Sequence, residues 1–176
     1  MKKPPLAAIA ILLICCQNLF GQSTAFLAKQ YTQTADIILD VPIEKAFPLF
    51  GAIEEKKWAP GWNPVPVFPV SENIKAGYIF KTSGHQPDED SLIWLVSQYD
   101  PSNYRVQYVV TGADRLVVIF IECHIFSANK TKASVTYTFT GLTQTGNHSS
   151  HHILDKLFST NLKDWESAIN HYLRKS

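Results

Sequence analysis

Glu122 and His124 stand two residues apart in an alternating run, and a carboxylate beside an imidazole is the pairing general acid–base chemistry uses. Strand alternation decides whether that pair can reach a pocket. Across 116–126 the odd positions Val117, Ile119, Ile121, Cys123 and Ile125 are all apolar, so Glu122 and His124 fall on the opposite, solvent-facing side. Cys123, on the apolar side, reads as a buried and inert thiol. His148, His151 and His152 open a helical stretch, and His148 with His152 at i and i+4 would share one helix side. With Asp155 they form a candidate zinc set. No cysteine lies nearby and H-E-x-x-H is absent, so the cluster reads as an exposed helix start and no metal or other cofactor is expected. Asp88-Glu89-Asp90 reads as a solvated turn. The chain has no G-x-x-x-x-G-K-[ST], G-x-G-x-x-G or G-x-S-x-G, which removes the common nucleotide-binding and serine-hydrolase templates.

What remains is aromatic. Four Trp, seven Tyr and ten Phe supply material for a large core or an apolar pocket. Alternation puts Val135, Tyr137 and Phe139 on one strand face, and Tyr104, Val106 and Tyr108 on another. Tyr78 and Phe80, then Leu92, Trp94 and Val96, extend the same side. Trp58 and Trp62 lie four apart in a proline-stiffened loop, placed either at a pocket mouth or as a clamp on the neighbouring helices. Trp165 closes the set from a helix. The expected ligand-binding residues are therefore Trp58, Trp62, Phe80, Trp94, Tyr108, Ile119, Ile121, Tyr137, Phe139 and Trp165. The Tyr108 and Tyr137 hydroxyls would orient a polar end of the ligand, and Tyr137 is the candidate acid or donor if the protein is a catalyst.

These side chains need elements to hold them. Tyr31–Leu39 reads as a strand that Asp40-Val-Pro ends. Residues 43–51 have helical spacing at Ile43, Phe47 and Phe50, with Pro48 forcing a short or kinked helix, and 53–58 form a second short helix. Residues 58–69, with four prolines, form a stiff loop leading into an edge strand. Strands follow at 78–83, 92–99, 104–111, 116–126 and 133–142, joined by short turn-rich links that favour antiparallel hairpins. From Ser149 to Leu173 the apolar positions Leu154, Leu157, Phe158, Leu162, Trp165, Ile169 and Tyr172 mark one face of a single long helix. The expected class is α+β, a sheet covered on one face by the closing helix.

The chain has 176 residues, enough for one domain. Lys2 and Lys3 precede the apolar run Leu6–Cys16, too short for a membrane span and suited to a secretory leader cleaved after Gly21, or alternatively after Ala25. Residues 22–30 then form a linker and 31–176 the domain, exported to a periplasm or the outside. The membrane enters only through the leader. Formal net charge is +1, and near-neutrality without a basic run argues against a nucleic-acid partner. Cys123 is the one cysteine beyond the leader, so no internal disulfide is expected there. Val118, Phe120 and Phe126 on the outward strand face offer a surface for a homodimer.

Several segments resemble one superfamily: VPIEKAFPLFGAIEEKKWAPGW after the first strand, Gly77-Tyr-Ile-Phe, Trp94 followed by Tyr99-Asp-Pro, VTYTFTGLTQTGN and DWESAINHYL. Over residues 31–173 the chain resembles the START/Bet v 1-like, or SRPBCC, superfamily in its polyketide cyclase/dehydrase-like branch. The resemblance implies a helix-grip fold, a curved antiparallel sheet around a long C-terminal helix with two short helices after the first strand. It also implies a cavity between sheet and helix for lipids, polyketides or other apolar molecules. Some relatives are cyclases or hydrolases, and many only bind or carry. The expected function is an exported binding protein for a small hydrophobic ligand. The alternatives are a cyclase, dehydratase or isomerase acting on such a ligand, or an interaction protein with a filled core.

Overall fold

Two prolines shape the chain after its first strand. The structure, a computed structural model, describes residues 25–71, 73–83 and 91–175. The expected leader (1–21) and the Asp88–Asp90 turn lie outside the described residues. Strand β1 (Gln30–Leu39) leads through Pro42, the N-cap residue, into α1 (Ile43–Ala46). Pro48 then lacks the N–H that a continuing α-helix requires, and Phe47–Phe50 tightens into a 3₁₀ turn. Both pieces bury their apolar side chains: Ile43, Ala46, Phe47, Leu49 and Phe50 are all in the core. A second 3₁₀ turn, Glu54–Lys57, follows.

The remaining strands are β2 (Val65–Phe68), β3 (Ile79–Thr82), β4 (Leu92–Asp100), β5 (Arg105–Thr111), β6 (Arg115–Ser127) and β7 (Lys130–Gly141). They form one antiparallel sheet in the order β1-β7-β6-β5-β4-β3-β2, with β1 and the proline-bearing β2 at its edges. Register stacks the inward residues in rows. Val106, Ile121, Val135 and Ala35 make one; Tyr108, Ile119 and Tyr137 the next; Val110, Val117 and Phe139 the third. All ten are buried.

The outer face has two halves. On β1 and β7, Thr32–Thr138 and Thr34–Thr136 pair their hydroxyls at 3.0 and 2.8 Å. Further along, Phe68, Ile79, Leu95, Val109 and Val118 align across five strands in an apolar row. Glu122 lies on this outer side, ion-paired to Arg105 and 3.3 Å from His124 Nε2. One inward expectation fails. Ile125 is 72% exposed, because the β6–β7 register shifts between Ile125 and Ser127 where the hairpin runs past the core.

The closing helical segment is present but in two pieces, α2 (Gln144–Leu157) and α3 (Lys163–Leu173). Asn161 and Leu162 have φ of 52° and 57° and reverse the backbone between them. A left-handed leucine costs about 1–2 kcal/mol; full burial of Leu162 offsets that with a comparable gain. The apolar stripe thus continues through a break that side-chain spacing does not register. Helix α2 also begins five residues before the expected Ser149. Thr143 caps it by accepting from Gly146 N at 2.9 Å, and Asn147 spends its side chain outside the helix. Its Oδ1 accepts from Lys29 N (2.8 Å) and its Nδ2 donates to Leu27 O (2.9 Å), tying the residues before β1 to α2. On α3, Glu166 accepts from Ile38 N (2.7 Å) and Asn170 donates to Ile38 O (2.9 Å), which docks the last helix along β1. No helix among the described residues is long and apolar enough to cross a membrane.

Candidate functional site: an aromatic cavity between sheet and helices

The tight turns after α1 decide what enters the space under the helices. Helical-type bonds continue beyond the second 3₁₀ turn, with Glu55 O accepting from Trp58 N (3.1 Å) and Ala59 N (2.8 Å), and Ala59 O from Trp62 N (3.1 Å). Glu55, Trp58, Ala59 and Trp62 therefore share one side at i, i+3, i+4 and i+7. That side forms one wall of a cavity of about 560 Å³. The sheet supplies Leu92, Trp94, Tyr108, Val110, Val117, Ile119, Ile121, Tyr137 and Phe139, and Arg115 sits at one end. The helices and the break between them contribute Ile153, Lys156, Leu157, Ser159, Thr160, Asp164 and Trp165.

Nine of the ten expected ligand-binding residues meet here: Trp58, Trp62, Trp94, Tyr108, Ile119, Ile121, Tyr137, Phe139 and Trp165. Phe80 does not reach the wall. It is fully buried beside it, stacked on Trp94 at 5.3 Å and edge-on to Trp62 and Tyr108. Trp58 and Trp62 are wall and clamp together. Their indole N–H groups donate to Leu49 O (2.7 Å) and Ala52 O (2.6 Å), fixing both rings to the turns after α1. Their rings then contact Trp165 (5.3 Å, tilted) and Trp94 (5.2 Å, edge-on).

The two tyrosines differ. Tyr108 Oη donates to Phe50 O at 2.7 Å, so it tethers the turn after α1 and is committed to the protein. The Tyr137 hydroxyl has no hydrogen-bond partner among the described residues, while its ring packs edge-on against Phe158 and Trp165. Burial raises the pKa of both phenols, and a charge on Glu55 would raise them further. Tyr108→Phe is expected to lower the melting temperature by roughly 3–8 °C, since it leaves a buried carbonyl unsatisfied. Tyr137→Phe should move it by no more than about 1 °C. Thermal unfolding of the two variants separates the roles, and equal losses would contradict the assignment.

The remaining candidates lie elsewhere. His148 and His152 are exposed on α2; His151 sits 3.2 Å from Asp155 and edge-on to Tyr31. Cys123 is buried beyond the cavity, and desolvation pushes its thiol up to about 12, far from a nucleophilic thiolate. Sequence reasoning passed over Glu55. Its neighbour Glu54 pairs outward with Lys57 at 2.5 Å, whereas Glu55 faces the cavity, where burial holds its pKa well above the usual carboxylate range. The signal was available in the helical spacing of Glu55 with Trp58, Ala59 and Trp62.

No family model matches the chain, and no curated protein matches it. Solved structures do. An aromatase/cyclase from Streptomyces sp. R1128 aligns at a TM-score of 0.60 with 10% identity, covering 85% of this chain and 96% of that one. Norcoclaurine synthase from Thalictrum flavum aligns at 0.62 with 9% identity, covering 85% and 89%. Ara h 8.0201 aligns at 0.59 with 15% identity, covering 80% and 98%. With the sheet order, the short helices after β1 and the helical cover, these alignments give the chain the Bet v 1-like helix-grip fold.

Proposed function

We propose that this protein is an exported binding protein that holds a small hydrophobic molecule non-covalently in the aromatic cavity. One observation carries the reading: all four tryptophans of the chain line a single space of about 560 Å³, together with Tyr108 and Tyr137. That volume lies within the ordinary range for small-molecule sites, about 300–1,000 Å³. An open cavity of this size also counts against the filled-core alternative. The driving force is transfer of apolar ligand surface out of water, at about 25 cal/mol per Å², less the ordering costs of association. Export rests on Lys2, Lys3 and the apolar run Leu6–Cys16.

The tryptophans make the protein its own reporter. Titration with fatty acids, sterols and aromatic polyketides is expected to give a saturable change in tryptophan fluorescence for at least one class, at one molecule per chain. A panel that leaves the emission unchanged, with no bound compound recovered after gel filtration, would overturn the reading.

A further inference from the structure

We propose that the ligand is an apolar amine, and that Glu55, a carboxyl without a protein partner in an otherwise aromatic wall, receives its nitrogen. The inference rests on the cavity being a ligand site and specifies what that site prefers. Among the described residues the Glu55 carboxyl makes no hydrogen bond and no ion pair, although Glu55 is one of the cavity-lining groups. Two of the three other charged groups of the wall, Arg115 and Asp164, have protein partners, and Lys156 makes no ion pair with Glu55 among the described residues. Arg115 bonds Asp114 (3.1 Å) and Ser149 (3.3 Å), and Asp164 accepts from Thr160 (2.8 Å). Arg115 also pairs across the sheet with Gly141, four residues along β7 from Tyr137, or roughly 13 Å away.

A half-buried carboxyl with no partner in an apolar wall is poorly solvated in either protonation state, and a ligand ammonium would satisfy it. The tryptophan faces suit the same group, because a cation is attracted to the negative face of an indole. A neutral hydroxyl would gain only the weaker hydrogen bond. Burial alone sets the protonation of Glu55, with no cation of the protein offsetting it. The titratable groups around it are Tyr108 on β5 and Tyr137 on β7; Arg115 on β6, Lys156 on α2 and Asp164 on α3 share the cavity. Both phenols are shifted upward and stay neutral. An incoming ammonium therefore displaces the Glu55 proton to solvent. An uncharged amine instead takes it, the O–H bond breaking as the N–H bond forms. Both routes end in the same carboxylate–ammonium pair. Affinity for the ammonium form rises with pH until Glu55 is ionised in the free protein.

Calorimetry with three probes on one skeleton tests this: naphthylethylamine, naphthylethanol and ethylnaphthalene. At neutral pH the amine is expected to bind at least about tenfold tighter than the alcohol. In buffers of different ionisation enthalpy it should release protons on binding. Glu55→Gln should remove both the preference and the proton release, with its thermal unfolding reporting that the variant is folded. An alcohol that binds as well as the amine, or a preference that survives Glu55→Gln, overturns the amine proposal and leaves the binding reading intact. If none of the three probes binds, the cavity reading falls with it.

Discussion

Replacing Ile119 by tryptophan is expected to weaken binding of an apolar ligand on the order of fiftyfold while leaving the protein folded. Ile119 stands between Tyr108 and Tyr137 in the middle row of the sheet, and its side chain faces the cavity. An indole there would occupy space the ligand needs and exclude about 100 Å² of its surface, worth about 2.5 kcal/mol. The cavity gives the larger side chain somewhere to go, so the usual penalty for overpacking is avoided. A tryptophan at the fully buried Val96, which does not line the cavity, should instead destabilise the fold. Titration of both variants, alongside their melting temperatures, checks the prediction. Undiminished affinity in folded Ile119→Trp would place the ligand somewhere other than this cavity.

The second large effect falls on stability. Gly146→Ala is expected to cost about 3 kcal/mol and lower the melting temperature by about 6–12 °C. A Cβ at Gly146 would overlap the carbonyl oxygen of Asp114, which is backbone and already accepts from Leu142 N at 2.7 Å. The first turn of α2 is thus pressed against the link between β5 and β6, and neither side can yield cheaply. Gly141 is crowded by the same helix, where a Cβ would lie 2.5 Å from Asn147 N. Gly61→Ala is the useful comparison. Gly61 has φ of 81° with open space around it, so only the left-handed backbone penalty of about 1 kcal/mol applies. Thermal unfolding ranks the two, and a Gly146→Ala protein as stable as the parent would contradict the packing described for α2.

Much of this architecture is written in local pattern. The 116–126 and 133–142 runs alternate so cleanly that the inward residues, and hence most of the sheet wall, follow from counting by twos. Pro48 announces the change from α-helix to 3₁₀ turn because its missing donor acts within its own turn. The failures have a different origin. Leu162 keeps its place in the apolar stripe while its φ turns positive, and periodicity reports side chains rather than dihedrals. The start of α2 is hidden by Gly146 and Asn147, poor helix formers that are there for tertiary reasons, close packing on Asp114 and the tie to Leu27 and Lys29. Phe80 alternates correctly but sits one strand beyond Trp94 toward the β2 edge, outside the cavity, and strand pattern does not encode how far across the sheet a cavity extends. Ile125 fits the alternation and still emerges into solvent, because the hairpin outruns the elements that cover it. Glu55 follows another glutamate, Glu54, and nothing in the two residue types separates them. Its different fate from Glu54 depends on the direction of one turn relative to the sheet.

The central claim is that the cavity holds a small apolar molecule. Native mass spectrometry of the protein purified gently from its own host, with organic extraction of whatever it carries, tests this most directly. The account predicts one adduct of defined mass per chain, released into the organic phase and rebinding to the stripped protein with a change in tryptophan emission. Protein that arrives at its bare sequence mass and takes up nothing from a host lipid extract would contradict it.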